Sequence, residues 1–170
     1  MLWGADSQRL HALTAHMLLA YSAHMRMPPF NAQGDLPPGV HQATLVEIVE
    51  RFGQGAPERV RVTERLQQVI ALAEGTGKLE RVFIWGSYVT DKPDPRAIDL
   101  FLIMSPDFES NDCTGTMHLV FDSEAAECEL GTTVFWMTSS TGSQTTIAFF
   151  LEQFQLRRDG GRRGIVEVLL

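Results

Sequence analysis

Residues 83–104 read FIWGSYVTDKPDPRAIDLFLIM, and their pattern decides the fold. The run RVFIW (81–85) is short, apolar and rich in β-branched and aromatic residues, which suits a buried strand, and it stops at Gly86-Ser87. A polar loop punctuated by Pro93 and Pro95 follows, and IDLFLIM (98–104) then predicts a neighbouring strand. Gly86 lets a backbone approach a ligand closely, and the Ser87 hydroxyl with nearby N–H groups can bind phosphate. Residues 97 and 99 fall on one face of a strand, so carboxylates at both would clamp a metal ion from two sides. Position 99 is Asp, whereas position 97 is Ala.

Outward from this stretch, Thr44 and Glu47 form a T-x-x-E capping box ahead of Leu45, Ile48, Val49 and Phe52, with Gly53 placed to end the helix. Pro57 opens a second helix carrying Leu66, Val69, Ile70 and Ala73 on one face, closed by EGTGK (74–78). Downstream, DSEAAECEL (122–130) predicts a short helix and TVFWM (133–137) a strand. A polar loop, TSSTGSQTT (138–146), could lie over a ligand; a helix marked by Ile147, Phe150, Leu151 and Phe154 follows it, then a last strand, GIVEVLL (164–170). At the other end, residues 1–26 predict a helical extension, and MPPFNAQGDLPPGV (27–40) an extended, turned segment suited to a hinge. The order of elements gives an α/β (α+β) domain over 27–170, one mixed sheet flanked by helices.

The chain has 170 residues, 44% hydrophobic and 21% charged, which suits a soluble globular domain with one core. No apolar run reaches the roughly 18 residues of a membrane span, and the opening residues lack the pattern of a signal peptide. Cys113 and Cys128, with no metal-ligand spacing around them, suggest neither a disulfide framework nor a zinc site. A cytoplasmic location is the expectation. The net charge of -7 is concentrated, because residues 91–129 hold ten acidic side chains against Lys92 and Arg96. An acidic segment followed by RRDGGRR (157–163) argues against a broad nucleic-acid-binding face and allows a local site for a divalent cation or a cationic partner.

The stretch GSYVTDKPDPRAIDL (86–100) resembles the nucleotidyltransferase superfamily, whose signature is an apolar strand, Gly-Ser, a loop of roughly ten residues and an Asp-x-Asp pair at the next strand. The flanking segments PPFNAQGDLPPGVHQATLVEIVERFG and FFLEQFQLRRDGGRRGIVEV are similar to those of a small bacterial family of nucleotidyltransferase-like proteins. The resemblance covers about residues 27–170. It implies a nucleotidyltransferase-like fold, a nucleoside triphosphate held by Gly86 and Ser87, and Mg2+ or Mn2+ bound by Asp99, which would serve catalysis. The first metal carboxylate would fall at Ala97, and the third acid near Thr132 and Thr133. Asp91 and Asp94 in the loop, and Glu127 or Glu129 near the rim, are the acids available to a rewired site.

Two functions follow from the resemblance. The chain either transfers a nucleotidyl group to a hydroxyl of a protein, RNA or small molecule, or it is a catalytically inactive binding or regulatory protein with a protein partner, for example in a toxin–antitoxin or phage-defence system. Plainer readings stand beside these. Gly86-Ser87 also suits a tight strand exit, Asp99 a pairing with Arg96, and Trp85 and Trp136 a place in the core. Arg157, Arg158, Arg162 and Arg163 suit either the end of the last helix dipole or an anion contact.

Overall fold

The computed structural model describes residues 27–141 and 143–170; the helix expected over 1–26 lies outside the described residues. The chain runs β1 (Val40–Thr44), α1 (Leu45–Phe52), α2 (Pro57–Glu74), β2 (Leu79–Trp85) and β3 (Ile98–Met104). After two 3-10 turns (Ser110–Asp112 and Gly115–Met117) come α3 (His118–Phe121), α4 (Ser123–Ala125) and a π-helical turn (Ala126–Leu130). The chain then forms β4 (Thr132–Thr138), α5 (Gln144–Phe154) and β5 (Ile165–Leu169). The architecture is mixed α+β, with one five-stranded mixed sheet ordered β1-β5-β2-β3-β4. β2 is antiparallel to both β5 and β3, whereas β1 runs parallel to β5 and β4 parallel to β3.

Alternation along the strands sends side chains to two different cores. Val82, Ile84, Leu100, Leu102, Met104, Val134, Val166 and Val168 face α1 and α2, which contribute Ile48, Phe52, Val62, Leu66, Val69 and Ile70. On the opposite face Phe83, Trp85, Phe101, Ile103 and Ile165 pack against α5 through Ile147, Phe150, Leu151 and Phe154. The α1 start is built as the sequence predicts. The Thr44 hydroxyl accepts from the Glu47 N–H, and the Glu47 carboxylate accepts from the Thr44 N–H at 2.8 Å, which satisfies two donors that the first turn leaves open.

Three expectations need correction. Residues 27–39 are not a hinge: Leu36 is fully buried, Met27 joins the core, and the Arg51 guanidinium donates to the Met27 and Pro28 carbonyls at 3.0 and 2.6 Å. The helix expected over 122–130 divides into α4 and the π-helical turn, which Gly131 ends in the left-handed conformation. The polar loop after β4 lies at the end of the sheet remote from Gly86, where the Ser139 N–H donates to the Met104 carbonyl, so it does not overlie the Gly-Ser turn.

Candidate functional site

The end of β2 and the start of β3 meet at one rim of the sheet. Their antiparallel register sets Trp85 opposite Asp99, and the chain leaves β2 through Gly86 at φ +85. A Cβ on residue 86 would stand 1.9 Å from Asp99 Oδ2. The Asp99 carboxylate therefore closes over the glycine, in space that any other residue would occupy. On its other side Asp99 is paired in register with Thr133 of β4. Burial pushes the Asp99 carboxyl above its ordinary range, while the Thr133 hydrogen bond and the positive charge of Arg163 pull it back down.

That direction has a sign for stability. Burial penalises the charged carboxylate in the folded state, so the penalty is absent at low pH and grows as pH rises through the carboxylate range. Asp99→Asn removes it. This variant is expected to melt above the wild type at pH 7, and the gain is expected to shrink towards zero at about pH 4 and below. Thermal melts across that range measure it; a variant less stable at neutral pH would contradict the burial penalty.

The loop after Gly86 is held from beneath by a buried cation. Arg59 of α2 is 7% exposed. Its guanidinium donates to the carbonyls of Phe52 at 2.9 Å, Tyr88 at 3.1 Å and Thr90 at 2.6 Å, and also to that of Lys92. Tyr88 is fully buried, its ring beside Phe52 and its hydroxyl 2.8 Å from Thr63 Oγ1. The Thr90 hydroxyl donates back to the Ser87 carbonyl at 2.7 Å. Residues 87–92 are thus fixed by side chains from α2 and from the loop itself. Sequence reading missed Arg59, whose acceptors are all backbone carbonyls.

Above this loop opens a cleft of about 760 Å³. One wall carries Gly86, Ser87, Thr90, Asp91, Lys92 and Asp99; the other carries Gln153, Phe154 and Leu156 at the end of α5, followed by Arg157, Arg158, Asp159 and Arg163. Trp85 lines it as well, stacked on Phe154 with ring centroids 3.9 Å apart. Arg157 is committed to structure: it pairs with the buried Asp35 and, at 2.7 Å, with Asp159. Arg162 pairs with Glu152. Among the described residues, Lys92, Arg158 and Arg163 form no ion pair.

Gly86, Ser87 and Asp99 thus come together; Asp99 lies beside Thr133, shares the cleft with Arg163 and forms no ion pair with Arg96. Asp91 lines the cleft, its carboxylate lying over Gly34, whereas the exposed Asp94 and the half-buried Ala97 do not. Glu127 belongs to a separate groove with Phe121, Phe135 and Trp136, and Glu129 is exposed. Among the described residues, no three His, Cys, Asp or Glu side chains are grouped to hold a metal ion. The donors around Asp99 do not suit Mg2+ or Mn2+, which dehydrate reluctantly without several anionic oxygens. Thr133, opposite it in register, is neutral, Ala97 offers no ligand atom, and Arg163 adds positive charge to the same cleft.

Residues 28–169 match a family described as a family of unknown function, DUF6932. The chain belongs to this family. No curated protein and no solved structure matches it. The DUF6932 match spans all five strands, so the Gly86–Asp99 rim and both walls of the cleft lie inside it. Among the described residues, no helix is long and apolar enough to cross a membrane.

Proposed function

We propose that this chain is a cytoplasmic nucleotidyltransferase-like protein that binds a nucleoside triphosphate in the cleft over Gly86 and Ser87, with its metal-dependent transfer chemistry degenerate. The observation that carries this reading is the contact of Asp99 with Gly86 at the rim of two antiparallel strands, beneath a cleft edged with unpaired cations. Gly86 leaves room for phosphate oxygens at the backbone, Ser87 offers a hydroxyl, and Lys92 and Arg158 supply positive charge at the mouth. Trp85 and Phe154 provide an apolar floor beside them. The degenerate half of the reading rests on Ala97, Thr133 and Arg163, which leave Asp99 as the one carboxylate at the matched positions. Such a protein would serve as a nucleotide-dependent binding partner rather than as a transferase.

Calorimetry with ATP, GTP, CTP and UTP, each with magnesium or manganese, tests it. Saturable binding of at least one is expected, and no binding of any of the four would end the nucleotide reading. Incubation with α-phosphate-labelled nucleotide and cell extract is expected to leave no labelled acceptor. Label transfer abolished by Asp99→Ala would instead show an active transferase.

A further inference from the structure

Resting on the nucleotide reading, we infer that the cleft takes its polyphosphate without a divalent cation, Arg163 supplying beside Asp99 the positive charge that a metal ion would bring. The base of the Arg163 side chain is fixed: its N–H donates to the Gln155 carbonyl at 2.9 Å, and the N–H of Gly164 donates to the Leu36 carbonyl at 2.8 Å. Gly164 sits so tightly against Pro37 that a Cβ would fall 2.4 Å from its carbonyl oxygen, which locks the strand entry from which Arg163 projects. The Arg163 Nε is buried and has no hydrogen-bond acceptor. Arg51 Nε is enclosed in the same way, so an anionic oxygen in the cleft would meet the terminal Nη groups of Arg163, which are not buried, rather than its Nε.

The cleft lining carries four carboxylates, Asp35, Asp91, Asp99 and Asp159, and four cations; Arg157 is shared by Asp35 and Asp159, and Lys92, Arg158 and Arg163 are the cations left without an ion pair among the described residues. A dication on Asp99 would be repelled by Arg163, whose charge already reaches that carboxylate. A polyphosphate meets the opposite situation. It is drawn to Arg163, Arg158 and Lys92 and opposed by Asp99, whose charge Arg163 partly offsets. Asp99 therefore acts in opposite directions in the two cases: it is required if a metal ion bridges protein and phosphate, and it weakens binding if none does.

ATP titrated calorimetrically in EDTA and again in magnesium separates them, with wild type, Arg163→Gln, Arg163→Lys and Asp99→Asn compared and each checked for folding by thermal melting. Wild-type affinities in EDTA and magnesium are expected to agree within about threefold. Arg163→Gln should weaken binding by about tenfold or more, Arg163→Lys should restore most of it, and Asp99→Asn should bind ATP at least as tightly as wild type. Binding that needs magnesium and is lost in Asp99→Asn would overturn this inference while leaving the nucleotide reading intact. An unchanged affinity in a folded Arg163→Gln would overturn it too. Absence of binding under both conditions would remove the nucleotide reading beneath it.

Discussion

Replacing Arg59 by methionine is expected to lower the stability of the domain by about 3 kcal/mol or more, a fall of roughly 10 °C in Tm for a chain of this size. Methionine fills much of the same volume with no donor, so the loss isolates the polar role. Four carbonyls, those of Phe52, Tyr88, Thr90 and Lys92, lose their partner at once. Each buried acceptor left unsatisfied costs about 1–3 kcal/mol, and the total is held down where the exposed Lys92 end of the loop admits water. Arg59→Lys should recover only part of the loss, since an ammonium has three donors on a single nitrogen and cannot reach all four carbonyls that the two Nη groups serve. Chemical denaturation measures the change. A loss under about 1 kcal/mol in Arg59→Met would mean that the loop stands by itself.

Gly86→Ala is expected to cost about 2–4 kcal/mol, from two sources that a control can separate. The first is backbone strain, since φ +85 suits glycine and costs an L-residue about 1 kcal/mol. The second is the collision with the Asp99 carboxylate, whose Oδ2 stands 1.9 Å from the new Cβ. Gly160 has nearly the same dihedral, φ +83, with nothing within 4 Å of its Cβ position. Gly160→Ala should therefore show the strain alone. The excess cost of Gly86→Ala over Gly160→Ala should vanish in an Asp99→Ala background, where the Asp99 Cβ lies at an ordinary 3.4 Å. An excess that persists there would place the conflict elsewhere in the loop. The same collision would push Asp99 off Gly86.

Elements whose signal is local were legible from sequence, and those made by distant partners were not. β3 was readable as IDLFLIM because a strand between two others is apolar on both faces, and its observed limits are Ile98–Met104. The capping box at Thr44 and the proline at the start of α2 are signals carried within a few residues, and both are realised. β1 was missed because VHQAT buries only Ala43, and its sole partner, β5, follows 125 residues later. Prolines around 27–39 predicted irregular backbone correctly, but irregular is not loose, as the burial of Leu36 shows.

At the site, the meeting of Gly86 with Asp99 was foreseeable from strand, turn and strand. Arg59 lies within PERVRVTER among other charged residues, and backbone carbonyl acceptors leave no trace in sequence. The four arginines of RRDGGRR could not be sorted by composition. Only the fold shows that Arg157 and Arg162 serve ion pairs while Arg158 and Arg163 line the cleft without one.

The position of β5 bears on how the chain can be made. The strand formed last in sequence lies between β1 and β2, hydrogen-bonded to both. During synthesis from the N-terminus, β2, β3 and β4 can pair as they emerge, but β1 has no strand to join until residues 165–169 leave the ribosome. Until then one long edge of β2 stays bare, with its apolar residues Val82 and Ile84 beside it, the kind of unpaired edge that invites association with other chains. The cleft waits as well, because Arg163 stands just before that strand. A nascent chain stalled short of residue 165 would therefore carry the Gly86–Asp99 turn with its opposing wall not yet anchored by β5. The cleft and the sheet are thus completed together.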